Sequence, residues 1–581
     1  MVDYDPASAC WYDPVNLNAP ELLAQDGLTP SEGNPQFHQQ MVYAVASNTI
    51  ASFERALGRS IFWAEKQFRM RKDLSNKEDD FIQRLRIYPH ALRTANAYYS
   101  PDKKALLFGY FRSPMGIVFT CLSHDIVAHE TTHAILDGMH RRYIEDNHED
   151  TLAFHEAFAD IVALFQHFSF PEVLRHQIAR TRGNLLNENI LGELAQEFGE
   201  ATGRYGALRS AIGMRDEAGK WQPRIPDPTI LTKTMEPHER GAVLVAAVFS
   251  AFTSIYHSRV ADLFRIASNG RGAVDGDLHP DLVDRLASEA SKTAKQFLTI
   301  CIRALDYAPP VEITFGDYLR ALVTADYDMV PNDPYGYRTA LIESFRKWGI
   351  VAENVRTFSE DQLRWPVARP QFGDAFIPAA QLLRSVVSKS LYFQNREEAY
   401  YELKKAQKDL HEEIKKNLLN GGHPEIRESF EDITGINISE ETEVEGVTYD
   451  RSGMGKFEVH SIRPALRVSP DGVIIKQVII TITQRRKVSL VSTGGETNTT
   501  FIFRGGTTLI LDLEDLTIRY AITRPIWDDA RLERVKRYRG AKVERQMSLR
   551  EMYFGRGPSD SQEADEVYGA YEPFAFLHGD E

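Results

Sequence analysis

DIVAHETTHAILDGMH, residues 125–140, sets His129 and His133 four positions apart in an otherwise apolar run. On a helix that spacing puts both imidazoles on one face, a single turn apart, where they can share one ion. Glu130 points about 100° further round the helix, beside such an ion rather than onto it. H-E-x-x-H therefore suits two neutral nitrogen ligands for zinc and a carboxylate that accepts a proton from water. A helix with surface histidines, or with satisfied core histidines, has the same spacing, so the reading turns on the flanking sequence.

The next segment, LAFHEAFADIVALFQHF at 152–168, is apolar nearly all round, which predicts a buried helix. Glu156 and Asp160 lie one turn apart within it. Burying an isolated carboxylate is costly, so buried acids are normally paired, hydrogen-bonded or metal-bound. Glu156 as a third zinc ligand, with Asp160 accepting the free ring N–H of a ligand histidine, would satisfy both acids. Three protein ligands leave a position open for water, as a catalytic rather than a structural ion requires. The alternative is two acids at the helix surface or in salt bridges.

DIVAHETTHAIL followed by HEAFAD resembles the thermolysin-like metallopeptidases, with H-E-x-x-H on one helix and E-x-x-x-D on the next. The resemblance covers roughly residues 34–350. It implies an α+β, mainly α fold with two lobes and the active-site helices at the cleft between them. It also implies one catalytic zinc ion held by His129, His133 and Glu156, with Glu130 activating water and Asp160 steadying His129. By the same resemblance, Asn96 and Ala97 in ANAYYSPDKKALLFGYF bind the substrate backbone at a strand edge. His238 in EPHERGAVLVAAVF stabilises the oxyanion, and Arg209 lies near the substrate carbonyl. A solvent-facing Asn, a helix-terminal His and a surface Arg are the plain alternatives for these residues.

The chain also departs from the family pattern. Lys233 stands where the acid that orients the oxyanion histidine is usual, leaving Glu236 or Glu239 nearby, and Tyr143 is only a weak counterpart of the oxyanion tyrosine. Asp125 matches a calcium-binding position, but its later acidic partner falls at His167, so no calcium site is inferred. The N-terminal residues read as neither a secretory leader nor a long pro-segment.

Five stretches emerge from 581 residues. Residues 1–33 read as an irregular N-terminal arm, 34–350 as the metallopeptidase-like domain and 351–440 as a helical linker region, with a charged helix from Gln381 to Asn420. Residues 441–550 alternate like strands and read as a small α+β domain, while 551–581 form an acidic tail in which Tyr571, Phe574 or Phe576 could dock. A net charge of -14 argues against nucleic acid and anionic membrane as partners. Cys10, Cys121 and Cys301 are widely separated and form neither a disulfide framework nor a recognisable thiolate zinc motif, which fits a reducing, cytoplasmic setting. The expected function is zinc-dependent hydrolysis of a peptide or protein substrate, as an endopeptidase or oligopeptidase. A catalytically weak, zinc-bound scaffold acting as a binding or regulatory protein is the alternative.

Overall fold

Asn34 accepts the amide of Gln36 and Pro35 takes the first helical position, so a long helix starts where the arm ends. The helix closes at Gly58, whose φ of 68° suits a residue without a Cβ. The computed structural model describes residues 1–65, 81–181, 213–215, 221–270, 277–368, 381–385, 395–420, 424–439, 443–491, 498–540 and 574, apart from single positions 115, 146, 382 and 516. About 51% of the chain is helical and 19% strand, so the α+β class expected from the sequence is the one observed.

The arm is less irregular than expected. Strands β1 (Tyr4–Asp5) and β2 (Cys10–Trp11) pair antiparallel, and a short α1 (Pro20–Ala24) follows. Val2 donates its amide to Ile87 at 2.9 Å, and Gln39 donates to Asp3 at 2.7 Å, which ties the arm to α2 (Pro35–Leu57) and to β3 (Arg86–Leu92). A sheet follows in the order β3, β5 (Ala105–Ser113), β4 (Ala97–Ser100), with β6 (Gly116–Phe119) also on β5. Among the described residues β4 is the outermost strand on its side, yet all its residues are buried.

Helices then carry the main core: α3 (His124–Met139), α4 (Glu149–His167), α5 (Pro171–Thr181), α6 (Pro237–Ala267), α7 (Pro280–Ala304), α8 (Phe315–Met329), α9 (Tyr337–Lys347) and the single turn α10 (Glu360–Leu363). A small pair, β7 (Gly213–Arg215) and β8 (Trp221–Pro223), precedes α6. Helix α6 is long and apolar enough to cross a bilayer, but 78% of its apolar window is buried within the protein. It packs along α4 because Gly241 presents no side chain there: a Cβ would lie 2.9 Å from the Ala153 carbonyl oxygen.

The charged helix expected from Gln381 is α11 (Arg396–Asn420), with residues 381 and 383–385 helical ahead of it. After α12 (Pro424–Thr434), strands β9 (Phe457–Val468), β10 (Ile474–Val491), β11 (Asn498–Asp512) and β12 (Ile518–Arg524) form an antiparallel sheet in chain order. Successive side chains point to opposite faces. Val478, Ile480 and Ile482 accordingly pack with Leu410 and Ile414 of α11, while Ile479, Ile510 and Tyr520 join the main core built by the helices α2 to α9. The sheet expected as part of a small unit of its own thus shares the main core on one face.

Candidate metal centre

Ser123 caps α3 by accepting the amide of Ile126, and the helix runs buried through 14 of its 16 residues. His129 and His133 are 3% and 0% exposed, which removes the reading as surface histidines. Their Nε2 atoms lie 2.9 Å apart. Across from them on α4, Glu156 Oε2 is 3.3 Å from His129 Nε2 and 3.5 Å from His133 Nε2. Ligands bound to zinc at their usual bond lengths with tetrahedral angles stand about 3.3 Å from one another. The three donors have the types and the spacing of such a set, and among the described residues they form a group that could hold one ion.

The outer nitrogens of the two rings are held as well. His129 Nδ1 is 2.9 Å from Asp160 Oδ1, so the proton sits on Nδ1 and Nε2 is directed at the centre. Burial opposes charge on His129, but hydrogen bonds to Asp160 and then Glu156 outweigh it and raise its pKa to about 9. The pocket thus stabilises positive charge at the point where a metal would replace the proton. For His133 burial dominates over the opposing Glu156 charge and pushes the pKa well down, leaving a neutral imidazole. Its Nδ1 is 2.7 Å from His155 Nδ1, and burial lowers the pKa of His155 to about 4. Neutral His155 can therefore accept from His133 Nδ1–H, the role that Asp160 plays for His129. Spacing gives His155 no role; its one signal in the sequence is a histidine inside an apolar helix next to Glu156.

Glu130 is fully buried, and its Oε2 accepts the backbone amide of Tyr99 in β4 at 2.7 Å. Tyr99 Oη in turn donates to Asp137 Oδ2 at 2.8 Å, and Lys104 Nζ reaches the same oxygen at 3.0 Å. Asp137 thereby locks β4 and its following turn against α3. Asn96 and Ala97 lie just before and at the start of β4, 8% and 0% exposed, on the strand that holds Glu130.

His238 stands in the first turn of α6, and its Nε2 is 3.4 Å from Glu156 Oε2. It is outside the group of donors that lie mutually within 4.8 Å, so it borders the ligand set without belonging to it. Its Nδ1 is 3.0 Å from Glu236 Oε1, while Glu236 Oε2 accepts the amide of Glu239 at 2.6 Å and caps the helix. Of the two acids left open by the sequence, Glu236 is thus the one that orients His238. Lys233 is exposed and bonds Thr229 instead. Two residues after His238, Arg240 donates to Asp150 at 2.6 Å and to the carbonyls of Leu231 and Thr234, which fixes the start of α6 against α4.

Other expectations fall elsewhere. Tyr143 is fully buried and donates to the Pro309 carbonyl at 2.7 Å, so it does not serve as an oxyanion tyrosine. His140 is the C-cap of α3. Arg209, Tyr571 and Phe576 lie outside the described residues. Phe574 is fully buried, with its ring stacked on His133 at 4.2 Å between centroids. Asp125 Oδ1 is 3.0 Å from His167 Nδ1 and 3.2 Å from His124 Nδ1; two imidazoles and one carboxylate differ from the all-oxygen shell that calcium takes. No protein-family model matches the chain, and no curated protein matches it.

Proposed function

We propose that the chain is a zinc-dependent peptidase of the thermolysin-like kind, with two lobes meeting at α3 and α4, and that it cleaves internal bonds of peptides. The observation that carries this reading is the convergence of His129 Nε2, His133 Nε2 and Glu156 Oε2 at 2.9–3.5 Å in a buried pocket. Zinc bound there would supply Lewis acidity to a water and to the scissile carbonyl. Glu130, held by the Tyr99 amide, takes the proton from the water and passes it to the leaving amine. His238, oriented by Glu236, offers its Nε2 to the negative charge that develops on the carbonyl oxygen. The peptide backbone lies along β4 near Asn96 and Ala97.

The test is metal content together with hydrolysis of unstructured peptides. Wild-type protein should carry zinc and cleave; Glu130→Gln should keep the zinc and lose about 10²- to 10⁴-fold in rate. An undiminished Glu130→Gln protein would sink the assignment. Peptides retained but never cut by the zinc-loaded wild type would assign the binding function instead.

A further inference from the structure

A second group of soft donors lies apart from α4. His38 on α2, His90 on β3 and Cys121, just ahead of α3, are 1%, 3% and 0% exposed, and their donor atoms fall within 4.8 Å of one another. The hydrogen bonds around the two rings decide what stands between them. His90 Nδ1 is 2.7 Å from Asp3 Oδ1, and a carboxylate accepts, so the His90 proton is on Nδ1. His38 Nε2 is 2.9 Å from the Glu32 carbonyl oxygen, which can only accept, so the His38 proton is on Nε2. The inward nitrogens, His38 Nδ1 and His90 Nε2, then face each other at 2.8 Å with a lone pair each. Neutral imidazoles so arranged repel; a cation between them removes the conflict.

His129 and His133 show the same pattern, with inward nitrogens 2.9 Å apart and outer nitrogens held by Asp160 and His155. At the second group each outer nitrogen is likewise fixed, by a carboxylate and by a backbone carbonyl, as is usual behind metal-bound histidines. Phe119 walls the group, its ring 4.5 Å from His38 and 5.7 Å from His90 between centroids.

We infer that His38 Nδ1, His90 Nε2 and Cys121 Sγ bind a second, structural transition-metal ion of the zinc class. One thiolate and two imidazoles favour such an ion over calcium or magnesium. The Cys121 thiolate and the Asp3 carboxylate behind His90 together balance a divalent charge. The ion joins the N-terminal arm, through Asp3, to α2, β3 and the entry to α3, the helix that bears His129 and His133. The three donors come from separate segments, so no spacing in the chain announces them.

The inference does not depend on the peptidase reading, because a sulfur ligand distinguishes this site from His129, His133 and Glu156. X-ray absorption at the zinc edge of the intact, zinc-loaded protein, purified under reducing conditions, should show a sulfur neighbour at about 2.3 Å. Cobalt(II) added to metal-free protein should give a thiolate charge-transfer band whose full intensity, reached by two equivalents, corresponds to one thiolate-bound cobalt per chain. Both signals should persist in Cys10→Ser and in Glu156→Gln, and the band should vanish in Cys121→Ser. A zinc shell of nitrogen and oxygen alone in the wild type, or a sulfur signal lost in Cys10→Ser, would overturn the assignment. Both signals should persist in Cys301→Ser as well, and their loss there would overturn the assignment; with Cys10 and Cys301 removed in turn, the sulfur falls to Cys121 even if Cys121→Ser does not fold.

Discussion

Asp160 makes its contribution through one hydrogen bond at 2.9 Å, which sets the tautomer of His129. Asp160→Asn retains the size of the side chain but weakens that acceptor, and should lower zinc affinity about 10- to 100-fold. Competition with a chromophoric chelator measures the change. His238 borders the ligand set without belonging to it, so His238→Ala should leave zinc content unchanged while kcat falls about 10²- to 10³-fold, the usual cost of losing one oxyanion donor. Loss of zinc from His238→Ala would show that the ring is a ligand after all. The placement of His129, Glu130 and His133 is legible in the chain because all three sit on one helix, where spacing alone determines which side chains share a face. His155 has no such signature in the chain, because its contact with His133 depends on how α4 is rotated against α3.

Helix α6 reaches the site only because α4 can approach it closely. At Gly241 an added Cβ would stand 2.9 Å from the Ala153 carbonyl oxygen and 3.3 Å from the Ala157 nitrogen, both rigid backbone. Gly241→Val should therefore lower stability by about 1–3 kcal/mol through overpacking, read from urea unfolding. The same substitution should slow hydrolysis, since it moves the start of α6, with His238, away from Glu156. Helix start signals were readable: Pro237 and the acidic Glu236 announce the beginning of α6, and the apolar run announces its burial. The register of α6 against α4 was not, because it follows from the contact at one glycine far along the chain.

Across the whole molecule, charged pairs link the C-terminal sheet to segments that join the core helices. Asp306 is fully buried, bound by both guanidinium nitrogens of Arg59 at 2.7 Å and also by Arg467 of β9. Asp306→Asn leaves two guanidinium groups without their counter-charge and should cost about 3–5 kcal/mol, read from the unfolding midpoint. Arg504 of β11 similarly holds Glu145 at 2.8 Å. Burial alone would raise the pKa of Glu145, but Arg504 and Arg142 overcome it and bring the value from 4.5 down to about 2. The folded value is the lower one, so this pair stabilises fully above about pH 4.5 and loses its effect as the pH falls toward 2. The difference in unfolding midpoint between wild type and Glu145→Gln should accordingly be largest near neutrality and shrink below pH 4.5. A difference independent of pH would assign the effect to packing.

The helices of the candidate centre, their burial and the candidate donors they carry can be derived from the chain alone, since periodicity and the cost of an unpaired buried acid are local properties. The same reasoning finds the change from helix to strand near residue 441. It cannot find that one face of that sheet enters the main core, nor that Arg504 meets Glu145 across 359 positions. Nor can it bring together His38, His90 and Cys121, which share no element and no spacing. Such contacts arise from how finished helices and sheets rotate and approach one another, and that is settled by close packing of the whole fold.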